Sequence, residues 1–273
     1  MSAKIFDGKA AADNLLVSIH ERVKTLGIVP KVISFYKEDD PASKLYTRIK
    51  KQKAESVGIE FEDIKIYRAE DTVPEIKKFG EDKGVSGILV QHPTGEFAFT
   101  PDRWDMLVRA IPPGKDIDGL RHDSPFVPAT VRAIIVALSF AKVNLKEARV
   151  AVIGATGMVG RPLVRELRER GGKIREIDET TQDVWYQTKN ADVVISCVGQ
   201  RNLIRGDQLR EGAVVIDCGS PGGDVDFESA RAVASFLTPV PGGIGPLTVV
   251  CLLENIVLAA ERLANRQNPE VST

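Results

Sequence analysis

The chain of 273 residues is poor in the residues that staple or ligate, with three cysteines and three histidines. Cys197, Cys218 and Cys251 lie in apolar runs without a C-x-x-C pair, and His20, His92 and His122 are scattered. That distribution argues against a disulfide framework and against a zinc cluster or other metal centre. An excess of one charge is missing too, because 37 lysines and arginines face 38 acidic residues, for a formal net charge of −1. The basic footprint of a nucleic-acid coat is thereby excluded, and any charged partner must be recognised locally. No apolar run reaches the roughly 18 residues of a membrane-spanning helix. The opening stretch 1–12 carries Lys4, Asp7 and Lys9 in place of an apolar leader core. These features predict a cytoplasmic protein with neither nucleic acid nor membrane as partner. What is present is an apolar share of 43%, enough at this length for two modest hydrophobic cores.

The glycines and prolines fall between periodic segments, and those segments alternate in type. Leu15, Leu16, Ile19, Val23 and Leu26 form one helical stripe over 14–26, closed by Gly27. A β-rich run follows at 31–36. Pro41 suits the first turn of a helix that reaches Val57 and ends at Gly58. Residues 61–67 read as a strand, 74–83 as a helix, and 87–91 as a buried strand bounded by Pro93. The stretch 111–128 has much turn chemistry and little periodicity, which marks a loop or domain junction. A helix over 129–141 leads into a second half, where strands at 149–153, 173–178, 191–198 and 213–218 accompany a helix at 162–170. A last helix over 247–265 precedes a frayed polar tail. The alternation predicts an α/β protein built on parallel, helix-covered sheets.

The strand at 149–153 runs into Gly154-Ala-Thr-Gly157-Met-Val-Gly160, a G-x-x-G-x-x-G turn that opens a helix. Glycines let such a turn take positive φ and let its backbone approach a ligand, while the helix N-terminus aims free N–H groups at a pyrophosphate. The spacing alone would also serve a tight turn that binds nothing; the strand before it and the helix after it favour a nucleotide. Asp178 lies 24 residues beyond Gly154 at the end of the next strand, where an acid accepts hydrogen bonds from an adenosine ribose. A carboxylate there repels a 2′-phosphate, and Glu176 and Glu179 flank it with no arginine directly after the strand. NAD is therefore favoured over NADP, the alternative being a solvated strand end.

Tyr46 and Lys50 are four residues apart and share a helix face, as tyrosine–lysine pairs also do on ordinary helices. Gln91 ends an apolar strand, where open α/β sheets present ligand-binding groups. Asp116 and Asp118 lie in the Pro/Gly-rich loop. Thr238-Pro-Val-Pro-Gly-Gly-Ile-Gly-Pro-Leu-Thr248 is a stiff, small-residue loop able to approach a ligand closely.

These pieces, in this order, resemble the methylenetetrahydrofolate dehydrogenase/methenyltetrahydrofolate cyclohydrolase family from Lys4 to about Arg262. The resemblance is carried by Pro41-Ala-Ser-Lys-Leu-Tyr46-Thr-Arg-Ile-Lys50, Gly87-Ile-Leu-Val-Gln91, Lys115-Asp-Ile-Asp-Gly119, Val152 through Pro162, Val214-Val-Ile-Asp-Cys-Gly219 and 238–246. It implies an N-terminal α/β substrate domain over 1–127, with the helix over 247–273 packing back on it. A Rossmann-type dinucleotide-binding domain would span 128–246, with a cleft between the two and a homodimer as the usual assembly. It also implies a bifunctional enzyme that oxidises 5,10-methylenetetrahydrofolate with NAD or NADP and hydrolyses the product to 10-formyltetrahydrofolate, without a metal. On that resemblance Lys50 is the catalytic lysine, Tyr46 packs beside the folate, Gln91 hydrogen-bonds the lysine and Asp118 holds the pterin edge. Val90, His92, Pro241, Gly242, Gly243, Ile244 and Gly245 would border the substrate. Gly154, Ala155, Thr156, Gly157, Val159, Gly160, Asp178, Glu179, Gly199 and Ser220 would hold the cofactor.

The chain departs from the family pattern at several points. Ala155 and Thr156 stand where arginine and serine commonly help hold a 2′-phosphate, and Asp178 and Glu179 where histidine and serine are frequent. Gln91 continues into His-Pro-Thr, the segment between Gly119 and Pro128 is short, and the usual Pro-Cys-Thr-Pro reads Pro128-Ala-Thr-Val131. The first two changes point toward NAD. Two other functions compete: a monofunctional NAD-dependent dehydrogenase of the same fold, and a non-catalytic nucleotide sensor. Retention of Lys50, Gln91 and Asp118 argues against the first.

Overall fold

The computed structural model describes residues 3–220 and 222–267. The last part of the polar tail, 268–273, lies outside the described residues. In chain order the first elements are β1 (Lys4–Ile5), α1 (Gly8–Thr25), β2 (Lys31–Tyr36), α2 (Pro41–Glu55), β3 (Glu60–Lys65), α3 (Ala69–Glu81), β4 (Gly87–Val90) and α4 (Pro101–Ala110). Then come α5 (Ala129–Phe140), β5 (Arg149–Ile153), α6 (Gly160–Glu169), β6 (Lys173–Ile177), α7 (Val184–Lys189) and β7 (Val193–Ser196). The chain closes with β8 (Val214–Asp217), α8 (Phe227–Arg231), β9 (Phe236–Leu237) and α9 (Ile244–Gln267). Every strand pairing is parallel, as apolar strands interleaved with helices require.

Two compact units result, Met1–Asp13 with Thr130–Thr248 and Asn14–Ala129 with Val249–Thr273. The first contains a six-stranded sheet in the order β1-β9-β8-β7-β5-β6. Its core includes Ile153, Val194, Val215 and Leu237, and Phe6 packs its ring against Phe140 and Phe236. The second contains a three-stranded sheet in the order β3-β2-β4, with Ile33, Phe35, Ile76, Ile88 and Leu107 inside. The division places the first thirteen residues with the nucleotide-type unit, whereas the sequence-based boundary joined 1–127. The cause is pairing: Lys4 and Ile5 align with Phe236 and Leu237 and extend the sheet by one strand.

The C-terminal part of α9 belongs to the smaller-sheet unit. There Arg22 of α1 binds Glu254 and Glu261, and Asn255 donates to the carbonyls of Ile117 (2.9 Å) and Val127 (2.8 Å). By length and composition α9 could cross a membrane, but 61% of its apolar window is buried within the protein, as in a core helix. It begins at Ile244, so Ile244 and Gly245 form its first turn, whereas the sequence pattern continued the loop to 248.

Pro74 lies inside α3, not at its start. Glu70 and Asp71 in the first turn complement the helix dipole and mark the true N-terminus. Pro101 opens α4, a helix the periodicity did not reveal. In α2, by contrast, Pro41 sits where expected, next to the N-cap Asp40, whose carboxylate accepts from the Ala42 N–H. Such a cap is worth about 0.5–2 kcal/mol.

Candidate active site

In the six-stranded sheet the strand order reverses between β5 and β7, and open parallel sheets bind ligands outside the carboxyl ends of strands at such a point. Gly154 follows β5 with φ at +78°, a conformation that costs other residues free energy. The N–H groups of Gly154 and Ala155 both donate to the carbonyl of Ile177, at 2.9 and 3.2 Å, docking the turn on β6. A side chain on Gly160 would run into the Gly154 carbonyl and the Ala155 main chain, so only glycine lets α6 start so close to the turn. Arg161 donates to the Thr156 carbonyl at 3.1 Å.

A cavity of about 470 Å³ opens there, lined by Gly154, Thr156, Gly157, Asp178 and Glu179 among the predicted residues. Asp178 Oδ1 accepts from the Thr180 hydroxyl (2.8 Å), the Thr180 N–H (3.0 Å) and the Thr181 hydroxyl (3.1 Å). Those bonds, the Thr180 hydroxyl first, hold its carboxyl below the ordinary value. Ala155 is buried under the turn, and Val159 caps α6. The structure brings Gly199 and Ser220 side by side, since a Cβ on Gly199 would lie 3.6 Å from the Ser220 carbonyl.

Sequence reading missed two features of this cavity. Trp185, on the short α7, and Val198, after β7, line it as half-exposed apolar walls. Behind the wall, fully buried Asp224 accepts from the Ser196 hydroxyl (2.6 Å) and from the N–H groups of Val198 and Gln200 (both 2.8 Å). Asp217 in turn accepts from the N–H groups of Gly219, Asp224 and Val225, while burial pushes its carboxyl up. These partners lie up to 28 residues apart, so no local pattern announces them. A glycine-rich turn at a helix N-terminus, and an acid across a cavity from it, fit a dinucleotide.

In the other unit the strand order reverses between β2 and β4. The Gln91 N–H continues the ladder by donating to the Phe35 carbonyl at 2.8 Å, which places its side chain at the carboxyl edge. Lys50, half-buried on α2, donates from Nζ to Gln91 Oε1 at 2.8 Å. Tyr46 stands exposed one turn earlier. Asp40 ties the same two elements at a second point, accepting from the Ser43 hydroxyl (2.8 Å) and the Thr94 N–H (2.9 Å). Burial pushes the Asp40 carboxyl up, but hydrogen bonds from Thr94, Ser43 and Ala42 outweigh it and hold the group below its ordinary value.

Val90 is buried in the core, and His92 packs edge-on against Trp104 with ring centroids 4.5 Å apart. Burial lowers the His92 pKa. Asp118 is half-buried in a loop whose Asp116 bridges Ile88 on β4. Asp116 is fully buried and accepts from the N–H groups of Leu120 (3.2 Å) and Arg121 (2.8 Å), yet burial still pushes its carboxyl up to about 6. The Pro241–Gly245 segment belongs to the nucleotide-type unit, where Gly8 donates its N–H to the Gly242 carbonyl at 3.0 Å.

A glycine cradle on one sheet and an amine–amide pair on the edge of another define a two-unit α/β protein of the dinucleotide-binding class. Comparison with known proteins narrows that class. The tetrahydrofolate dehydrogenase/cyclohydrolase catalytic domain matches residues 6–118, and the NAD(P)-binding domain of the same family matches 128–264. Bifunctional protein FolD of Lactobacillus acidophilus is 38% identical over 288 residues, spanning 97% of this chain and 98% of that protein. The crystal structure of the FolD methylenetetrahydrofolate dehydrogenase/cyclohydrolase from Campylobacter jejuni superposes with a TM-score of 0.88 at 30% identity, covering 96% of this chain and 99% of that one. The Trypanosoma brucei dehydrogenase–cyclohydrolase, crystallised with NADP and an inhibitor, gives 0.86 at 27% identity over 96% and 98% of the two chains. The chain belongs to the tetrahydrofolate dehydrogenase/cyclohydrolase family.

Proposed function

We propose that this protein oxidises 5,10-methylenetetrahydrofolate to the methenyl form and hydrolyses that product to 10-formyltetrahydrofolate, with NAD as the preferred oxidant. The observation that carries the reading is the Lys50–Gln91 hydrogen bond, within the span 6–118 that matches the family's catalytic domain. Bound at the Gly154 turn, NAD supplies a hydride acceptor. The chain's own residues must then manage water and protons. The methenyl cation shares its charge between two flanking nitrogens, and attack by water leaves a proton to be removed as the ring opens. Lys50 takes that proton, and Gln91 Oε1 fixes where its amine sits. Asp118 is assigned to the pterin edge, Tyr46 to the face of the folate, and His92 and the Pro241–Gly245 segment to the remaining substrate contacts.

The preference for NAD is supported by Asp178, whose threonine contacts keep it ionised, and by Ala155 and Thr156 at positions that offer no cation to a 2′-phosphate. The family habit also supports a homodimer, which sedimentation of the purified chain measures.

The test is to mix the purified protein with methylenetetrahydrofolate and either cofactor, following reduced nicotinamide and methenyl absorbance together. A higher kcat/KM with NAD and a decaying methenyl signal are expected. Replacing Asp178 with serine should lower kcat/KM for NAD by roughly 10- to 100-fold, the scale of a lost hydrogen bond to a charged group. Preference for NADP in the unmodified enzyme would refute the cofactor assignment, and absence of both signals would refute the activity.

A further inference from the structure

At the wall of the nucleotide cavity lies a feature that the proposed reaction does not use, a pair of cysteines at the carboxyl edge of the sheet, one of which lines the cavity. Strands β7 and β8 align Ser196 with Asp217, and the Cys218 N–H donates to the Ser196 carbonyl at 2.9 Å. The ladder therefore continues one residue past the strand ends, setting Cys197 beside Cys218 with both side chains on one face. Neighbouring strands lie about 4.8 Å apart, inside the Cα separation of roughly 4.4–6.8 Å that a disulfide spans. Both cysteines are free and part-buried. The neighbouring Cys197 side chain, then burial, pushes the Cys218 thiol well up, so Cys218 keeps its proton. Cys197 lines the cavity.

We propose that Cys197 and Cys218 are an oxidisable dithiol, a modification site for peroxide-class oxidants that closes the nucleotide cavity when its two sulfurs are joined. The Cys197 sulfur attacks one oxygen of hydrogen peroxide and gives up its proton. The O–O bond breaks, a sulfenic acid forms on Cys197, and the departing hydroxide leaves as water after taking a proton. The Cys218 sulfur then attacks the Cys197 sulfur, the S–O bond breaks, and the hydroxyl departs as a second water with the Cys218 proton. Two thiols lose two electrons, and the peroxide is reduced to two waters.

Closing the two sulfurs to about 2 Å draws Cys197 sideways. The Gly154 turn rests on that residue: a Cβ on Gly154 would lie 2.8 Å from the Cys197 carbonyl. Asp224 pins the next residues, Val198 and Gln200, so the displacement passes into the cavity wall. Lys50 and Gln91 belong to the other unit. On the functional reading above, oxidation stops the cofactor-dependent step and spares hydrolysis.

The experiment treats the full chain with hydrogen peroxide and maps its peptides after alkylation in denaturant. A cross-linked peptide joining Cys197 and Cys218 is expected, with Cys251 of α9 still alkylated. Binding of NAD, read by quenching of tryptophan fluorescence, should weaken by roughly tenfold or more, equivalent to about 1.4 kcal/mol, and dithiothreitol should restore it. In Cys218→Ser the same treatment should stop at a sulfenic acid that dimedone traps on Cys197. Failure to find the cross-link, or a cross-linked protein with unchanged NAD affinity, overturns the proposal. A cross-link that weakens NAD binding in a protein inactive toward folates upholds it while refuting the functional reading.

Discussion

At the nucleotide cavity the turn that would meet the pyrophosphate is built and held through main-chain groups. Gly154 and Gly160 remove side chains, Ile177 receives two N–H groups of the turn, and Asp224 and Asp217 clamp further N–H groups from behind. At the carboxyl edge of the three-stranded sheet, the groups proposed to react are side chains, and one hydrogen bond between Lys50 and Gln91 defines their relation. Both sites sit where the strand order reverses, so topology chooses the place in each case. The contrast lies in what fills it. A pyrophosphate offers the same oxygens in every dinucleotide and can be met by backbone, whereas moving a proton requires a group that titrates. The first site should therefore fail when volume is added, and the second when a functional group is removed.

The largest effect expected is at the second site. Replacing Lys50 with methionine keeps the length and apolar stem but deletes the proton acceptor, and the cyclohydrolase rate should fall by about 10²–10⁴-fold. Decay of methenyl absorbance measures it, and NAD binding should stay unchanged; a normal hydrolysis rate would remove Lys50 from its role. Next comes Gly160→Ala at the first site. One methyl group meets the Gly154 carbonyl, so the turn must open, at a cost of about 1–3 kcal/mol for an overpacked position. Weakened NAD binding with cyclohydrolase activity retained is the expected pattern, whereas equal loss of both would erase the contrast between the sites.

The smallest effect concerns pH. Asp116 has its folded pKa raised to about 6 from an ordinary value of 3.8, so the folded chain holds that proton more tightly than the unfolded chain does. Its stabilising contribution is full below about pH 4, declines as pH rises toward 6, and is level above. The decline is at most about 1.4 kcal/mol per pH unit. Urea unfolding of the wild type and of Asp116→Asn should show a stability difference that shrinks between pH 4 and 6. A difference that grows over the same interval would mean that hydrogen bonds from Leu120 and Arg121 outweigh burial.

Much of this was legible in the sequence because it is periodic or local. The strand at 149–153 and the run at 31–36 coincide with β5 and β2, and the Gly154 turn lies between a strand and a helix as its spacing predicts. Elements that depend on distant partners were not legible. Strands β1 and β9 have two residues each and acquire meaning only by pairing with one another and with β8. Helix α4 is announced by Pro101 alone, and α7, which carries Trp185, has six residues, too few for a period to emerge. Among candidate site residues, motif matching nominated Lys50 and Gln91, which the structure brings together. It could not nominate Asp40 or Asp224, because a carboxylate that receives main-chain N–H groups from 26 or 54 residues away looks like any other acid in a string.

The placement of β1 has a consequence for how the chain is made. Lys4 and Ile5 find their strand neighbours at Phe236 and Leu237, and the smaller-sheet unit includes the residues of α9 from Val249 on. Neither unit is a continuous stretch. At about 5–20 residues per second of synthesis, the first strand waits on the order of 10–50 s for its partner to emerge from the ribosome. Both units therefore reach completion only once β9 and α9 have been made, and loss of β1 or of α9 leaves an unfinished unit.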